Sequence, residues 1–274
     1  MVRVDYHVHT NHSMDCDMPM DALCEAALAA GLDEICITEH TEFGHPDPSS
    51  DRPPDPDTWF KEISRVREKY PLRIRAGMEI GDNPRCRERI KAWHFALPLD
   101  YRLLSLHLID NEDPYFPSFF EGKVQETFYR RYVEAKLESC LAWAPAEYDA
   151  MAHLGYCAKF APYPPLERPL RYHHAPDVFD ALFTRLAESG KALEINTSGR
   201  RQAKDGSSMG ECIPGPELLS RFREMGGEFV TLGSDAHQPQ SVGAWLDEAR
   251  EMAMACGFRY MLTFEGRTPI PIPL

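Results

Sequence analysis

The stretch "VRVDYHVHT" (residues 2–10) sets two histidines, His7 and His9, one residue apart straight after the first apolar run of the chain. Side chains alternate across a strand, so both rings fall on one face. With 11 His in 274 residues, chance alone supplies about 0.4 such triplets, and the triplet by itself is a weak signal. An edge strand carrying outward imidazoles and one half of a metal site are both open readings at this point. The rest of the chain has to decide between them.

Working outward, β-like runs lie at 2–6, 34–38, 73–78, 102–106, 148–152, 191–195 and 228–233. Helical patterns fall between and after them, at 19–30, 57–69, 84–95, 123–142, 176–189, 215–225 and 243–256. Such alternation implies parallel pairing with helices outside. Seven repeats of it in 274 residues favour a closed or nearly closed α/β barrel over an open sheet. Pro19 ahead of Asp21, and Pro176 with Asp177, are suitable helix starts. Segment 44–56 is rich in Pro, Asp and Ser, 161–175 is so to a lesser degree, and 197–213 is polar and Gly-rich; all three read as loops. With no composition break and no internal repeat, residues 1–274 read as one domain.

The ends of these strands carry the chemistry. His7 and His9 close the first, with Asp15 in the loop beyond. "TEH" brings His40 to the end of the second, "GME" Glu79 to the third, "SLH" His107 to the fourth and "MAH" His153 to the fifth; "GSDAH" follows the seventh with Asp235 and His237. In a parallel barrel all C-terminal strand ends meet at one rim, where active sites are built. A single strand-end histidine is usually a partner of loop backbone. Six of them, with three carboxylates, at successive strand ends form a pattern that independent accident does not supply. Nitrogen and oxygen donors without thiolate suit zinc, iron, manganese or nickel, and nine of them exceed the needs of one ion.

Bulk properties narrow the partners. A net charge of −13 without a basic stripe argues against nucleic acid. The absence of a long apolar run argues against a membrane span, and the N-terminus has no signal-like apolar segment, so the cytoplasm is the expected location. The eight cysteines form no C-x-x-C pair and read as reduced, mostly buried thiols.

"HVHT", "TEH", "GMEI", "SLH", "AHLG" and "GSDAH", in this order from His7 to His237, resemble the PHP family of metal-dependent phosphoesterases. Chain length, "TEHTEF" and "LEINTSGRR" are similar to the monofunctional histidinol-phosphatase branch of that family. The resemblance implies a distorted (β/α)7 barrel of the PHP fold with three divalent ions (zinc, iron or manganese) at the C-terminal rim. It also implies that His7, His9, Glu79 and Asp235 hold the first ion. Glu79 would bridge to a second, completed by His107 and His153, while Asp15, His40 and His237 hold the third. Position 15 is His in some relatives.

The activity so implied is hydrolysis of a small-molecule phosphate monoester, L-histidinol phosphate in histidine biosynthesis, by a metal-bridging hydroxide attacking phosphorus in line. Three divalent ions against three carboxylates leave the site at about +3, or about +2 with hydroxide bound, so an acidic protein can hold a phosphate dianion. Asp235 and His237 are candidates for positioning the nucleophile or protonating the leaving group. Arg201, with Arg200 adjacent, best matches the phosphate-binding position of the family. Relatives often carry Arg shortly after the fifth-strand histidine; Ala158 and Lys159 stand here, which leaves Lys159 to act as a point charge. Loops 44–56 and 161–175 are expected to choose the leaving group.

Three rival readings follow from the same residues. One is a PHP phosphoesterase for another ester, such as a nucleotide or sugar phosphate; another is a metal-binding module without catalysis. The third rests on "GSSMG" (206–210), which matches G-x-S-x-G around Ser208 with Asp235 and His237 downstream. A nucleophile elbow needs an apolar strand before it and a helix after it, and this motif sits in a polar loop.

Overall fold

The computed structural model describes residues 2–202 and 208–274. Seven strands run parallel in sequence order: β1 (Val4–Val8), β2 (Glu34–Thr41), β3 (Arg73–Gly81), β4 (Tyr101–Ser105), β5 (Ala150–Met151), β6 (Ala192–Asn196) and β7 (Phe229–Gly233). Helices α1 (Met20–Ala29), α2 (Pro56–Lys69), α3 (Arg87–Phe95), α4 (Gln125–Ala142), α5 (Tyr156–Phe160), α6 (Pro176–Glu188) and α7 (Pro216–Glu224) lie between them, and α8 (Leu246–Ala255) follows β7. Every residue of β1, β2, β4 and β6 is buried, as two covered faces of a parallel sheet require. The distorted (β/α)7 barrel expected from the sequence is the observed architecture.

Local chemistry starts the helices where expected. The Asp55 carboxylate caps α2 by accepting from Thr58 N at 2.9 Å, ahead of Pro56, while Arg67 and Lys69 meet the negative end of the helix dipole. α6 opens without a side-chain cap, on Pro176 at its first position and Asp177 in its first turn.

The barrel closes mainly at its rim. A single parallel bridge joins Val8 to Ala236, with Asp235 N donating to His7 O at 2.6 Å and His9 N to Ala236 O at 3.0 Å. Lower down, the buried Asp5 side chain replaces a ladder, accepting from Ser234 N at 2.8 Å and Gly243 N at 2.9 Å. Asp235 is held in the left-handed region, at φ 54°. Such a conformation costs free energy away from Gly, Asn and Asp, and β1 fixes it here through those two backbone bonds.

Two strands lie beyond the seven that the sequence pattern marks. β8 (Tyr260–Glu265) pairs with β7, and β9 (Thr268–Pro273) returns antiparallel along it. Both turn residues, Gly266 (φ 52°) and Arg267 (φ 64°), are left-handed, the signature of a two-residue hairpin turn. Leu274 N donates to Arg259 O, so even-numbered residues of β9 face β8. Pro269, Pro271 and Pro273 turn their missing N–H groups outward, the arrangement an edge strand tolerates. Rings of Tyr6, Tyr101 and Phe264 pack together at the end of the barrel away from the rim.

Candidate metal centre

All nine residues marked at strand ends come together at the rim. Glu79, fully buried on β3, sits at the middle. Its Oε1 lies 2.7 Å from His153 Nε2 and 3.1 Å from His107 Nε2; its Oε2 lies 2.9 Å from His40 Nδ1, 3.3 Å from His7 Nε2 and 3.7 Å from His9 Nε2. Asp235 Oδ1 stands 3.5 Å from His9 Nε2 and 3.8 Å from His7 Nε2. On the outer side Asp15 Oδ2 is 3.2 Å from His237 Nε2 and 3.5 Å from His40 Nε2.

Donor atoms close enough to share an ion fall into the groups His7–His9–Glu79, Glu79–His107–His153 and His9–His40–His237. The decisive observation is polar bookkeeping. Among the described residues, His7 Nε2, His9 Nε2, His40 Nδ1 and Glu79 Oε2 are buried and make no well-directed hydrogen bond, although the three nitrogens lie 2.9–3.7 Å from that oxygen. Buried polar atoms are nearly always satisfied, so four orphans aimed at one another's neighbourhood fit a cage for cations. The residues present fit divalent metals.

Without metal the cage spreads the proton affinities of its members. Burial opposes charge on His7, yet the Glu194, Glu79 and Asp235 carboxylates outweigh it and hold the ring well above the ordinary histidine range. Burial likewise opposes charge on His107, which Glu79 and Glu42 raise to about 9. Burial pushes His153 down to about 4, and burial with the neighbouring His237 and His40 lowers His9. Burial works against ionised Glu79 and Asp235, but surrounding cationic groups keep both carboxyls well below the usual range.

A ring of supporting groups surrounds these donors, and the strand-end pattern does not mark them. Glu42 Oε1 stands 2.6 Å from His107 Nδ1, and Glu194 Oε1 stands 2.6 Å from His7 Nδ1. His9 Nδ1 lies 3.2 Å from Ser13 Oγ, whose hydroxyl donates to Glu39. Glu39 also accepts from Thr10 N at 3.0 Å. In each pair one ring nitrogen is taken and the other is left facing the cage, which fixes the tautomer. Glu42 also lies within range of a fourth donor group, His40–Glu42–His107, but its 2.6 Å contact to the far nitrogen of His107 makes it a backing carboxylate. Glu194 had a visible signal, a lone carboxylate inside the apolar strand "ALEIN". With these extra acids close by, the net charge drawn from three carboxylates alone is too positive.

The basic residues divide. Lys159 Nζ lies 3.3 Å from Asp235 Oδ2 and 3.0 Å from Ser198 Oγ, and lines the cleft. Burial lowers its pKa, against the pull of Asp235. Arg201 instead donates to the backbone carbonyls of Ser234 (2.6 Å) and Asp235, bracing the turn that carries Asp235, and is not among the residues lining the cleft. Ser208 Oγ donates to Arg200 O at 3.0 Å, while Gly206 and Ser207 of the G-x-S-x-G match lie outside the described residues. Asp235 and His237 belong to the rim cage.

Above the cage opens a cleft of about 500 Å³. His45, Asp47, Ser49 and Ser50 line it, as expected for loop 44–56. Loop 161–175 does not line it: that segment is tied to α4, where the Tyr129 hydroxyl donates to Arg168 O and Gln125 Nε2 to Glu167 O. The place expected for it belongs to Asp113, Tyr115 and Phe116, with Tyr156 and Phe160 of α5 beside them. His45 faces Asp113 at 3.4 Å. Of the other histidines, His12 pairs with Glu62 at 2.7 Å and His94 is buried against Thr41 Oγ1 at 2.8 Å.

Fold and site together define a parallel α/β barrel whose rim gathers histidines and carboxylates from successive strand ends into groups that could hold metal. The PHP domain model matches residues 5–198, and the chain belongs to the PHP family. The histidinol-phosphatase of Lactococcus lactis is 30% identical over 272 residues, covering 97% of this chain and 96% of that protein. The crystal structure of the histidinol phosphate phosphatase of the same species, complexed with zinc, L-histidinol and phosphate, superposes with a TM-score of 0.85 at 29% identity and covers 98% of both chains. A hisK structure from Listeria monocytogenes, at 19% identity, 90% coverage of this chain and 99% of its own, shares the fold with a TM-score of 0.77.

Proposed function

We propose that this chain is a phosphomonoesterase that hydrolyses L-histidinol phosphate to L-histidinol and phosphate, a step of histidine biosynthesis, using three divalent ions of zinc, iron or manganese. The observation that carries the reading is a cage of orphaned nitrogen and oxygen donors at the floor of a cleft of about 500 Å³ walled by aromatic rings and carboxylates. The named activity of the Lactococcus lactis relative supports it.

His7, His9, Glu79 and Asp235 would hold the first ion, Glu79, His107 and His153 the second, and Asp15, His40 and His237 the third. Divalent ions so held acidify water, clamp phosphoryl oxygens and neutralise a leaving alkoxide. The side chains of the protein do the remaining work. Lys159, with its ammonium at the cleft wall, meets the phosphoryl oxygens as a point charge. Asp235 orients the attacking water. His237, the more open of the two, with 23% of its side chain exposed, would have Nε2 on the third ion and keeps Nδ1 at 3.0 Å from the Asp235 carbonyl, so the leaving oxygen takes its proton from water. Arg201 acts by holding the Asp235 turn. Tyr115, Phe116 and Phe160 offer faces to a flat heterocycle, and Asp113, Asp47 and Glu42 offer negative charge to the ammonium and imidazolium of the amino alcohol.

We read residues 1–274 as one domain around a shared core, working in the cytoplasm, where free cysteines stay reduced. Among the described residues no helix is long and apolar enough to cross a membrane. A comparison of kcat/KM for L-histidinol phosphate with nucleotide, sugar and glycerol phosphates tests the reading. Preference for the amino-alcohol ester is expected. A better substrate outside that class would overturn the specificity, and full metal loading without turnover of any ester would overturn the activity.

A further inference from the structure

Glu194 stands in the middle of β6, is 1% exposed, and uses both carboxylate oxygens on different parts of the cage. Oε1 lies 2.6 Å from His7 Nδ1, and Oε2 accepts from the backbone N–H of His153 at 2.7 Å and from Asn196 Nδ2 at 3.3 Å. His7 belongs to the first donor group and His153 to the second; their rings stack 5.7 Å apart. Glu79 touches both rings from inside the cage, and Glu194 grips the far nitrogen of one and the backbone of the other. A carboxylate buried among apolar strands is expensive unless its lone pairs are filled, and here the donors that fill them belong to two ligand residues and to Asn196.

The neighbouring strand is shaped for this group. Gly233 pairs with Asn196 across β6 and β7. A Cβ at position 233 would overlap His7 Cβ and would come within 2.5 Å of Glu194 Oε1. The glycine therefore supplies room for the pair rather than an unusual backbone angle. The same device recurs at the other backing carboxylate, where a Cβ on Gly81 would overlap Glu42 Oε1 and Oε2.

We propose that Glu194 is a positioning residue that couples the first and second cation pockets, fixing the His7 tautomer and the His153 backbone together, with Gly233 as the notch that admits it. The proposal rests on the metal-dependent reading above. It assigns Glu194 no contact with substrate, and Glu194 is absent from the residues lining the cleft.

The test uses the full chain as E194Q, with G233A as a second variant. Glutamine keeps the shape but has one acceptor oxygen where three donors converge. Purified proteins are stripped with chelator and titrated with zinc, reading bound zinc per chain, activity and circular dichroism. E194Q is expected to need 10–100-fold more free zinc, with occupancy of the first and second pockets shifting together. Turnover should recover at saturating zinc and KM should stay within about twofold, since a lost outer partner weakens the ligand rather than the chemistry. G233A should shift in the same direction by less, and it carries the test if E194Q does not fold. A zinc titration of E194Q or folded G233A that overlays wild type would overturn the proposal, as would full zinc loading with turnover still lost. Wild type that binds no zinc, or turns over fully without it, would instead overturn the metal-dependent reading itself.

Discussion

At the base of the barrel, Glu34 accepts from the Tyr6 hydroxyl and meets Arg75 Nε and Arg73 Nε, the two arginines both at 3.1 Å. Asp100 takes Ala76 N and Gly266 N, each at 2.9 Å, and Arg67 at 3.0 Å; Asp149 takes Arg102 N at 2.8 Å and the two arms of the Arg267 fork at 2.8 and 3.1 Å. At the rim, Glu79 faces imidazoles instead of guanidinium groups, and among the described residues its Oε2 makes no well-directed hydrogen bond with the nearby His7 Nε2, His9 Nε2 and His40 Nδ1. Both ends bury charge. The base completes each carboxylate within the chain, as a structural seat must. The rim leaves lone pairs aimed at shared points, so its missing partners are of another kind. The contrast separates groups that hold the fold from groups that hold something else.

Breaking the rim alone should give the largest effect. Glu79→Ala removes the carboxylate common to two donor groups and 2.9 Å from His40 of the third. Activity should fall more than about a thousandfold, equivalent to over 4 kcal/mol of transition-state stabilisation. Mass-spectrometric metal analysis should show loss of bound ions, while circular dichroism stays that of wild type because the base is untouched. His7→Ala should behave the same way. Near-normal turnover in either would remove the metal cage as the seat of the chemistry.

Acidity separates the ends differently. In the metal-free protein His107 titrates near 9 because the Glu79 and Glu42 carboxylates outweigh its burial. A raised folded pKa means the protonated ring stabilises the metal-free fold fully below about 6.5, its unfolded value, and loses that contribution as pH climbs through 9. An ion needs the neutral ring, so zinc and this proton compete. Between pH 6.5 and 9 the rim predicts opposite trends: zinc affinity rises by up to about tenfold per pH unit for this one proton, while the metal-free fold loses stability. Zinc titrations and melting curves in the same buffers check both. A zinc affinity independent of pH would contradict the geometry around His107.

Damage at the base should do the reverse. Arg267→Met leaves Asp149, with a side chain 5% exposed, short of its guanidinium partner. A cost of about 2–3 kcal/mol is expected, lowering the melting temperature by roughly 5–10 °C with kcat/KM unchanged. Equal loss of activity and stability would mean the two ends are not separable.

The two ends also differ in how far the sequence discloses them. Rim donors announce themselves because each follows an apolar strand, so His40, His107 and His153 are readable one at a time and the topology gathers them. Glu42, Glu194, Glu39 and Ser13 are defined by what they touch across the barrel, and no spacing along the chain contains that. The base hairpin was hidden by Pro269, Pro271 and Pro273, which depress strand propensity while respecting the alternation of an edge strand. β5 shrinks to two residues, Ala150 and Met151, where the stretch YDAMA (148–152) reads as a five-residue strand. Loop 161–175 is Pro-rich like 44–56 yet packs on α4, because composition reports exposure and turning, not direction.

The smallest predicted effect concerns Ser208, the residue a motif search would choose as a nucleophile. Its hydroxyl donates to Arg200 O at 3.0 Å and lies 3.3 Å from Gly199 O, while His237 and Asp235 belong to the rim cage. A serine nucleophile needs a base accepting its proton, and a hydroxyl committed to backbone carbonyls has no such base. Ser208→Ala forfeits a weak bond to a loop carbonyl, so kcat should stay within about twofold of wild type and melting within about 2 °C. Measured beside Glu79→Ala under identical metal loading, the pair sets a lone hydroxyl tied to its own loop against a carboxylate at the centre of the rim. Loss of turnover in S208A comparable to that in the Glu79 variant would move the chemistry off the rim and onto the loop.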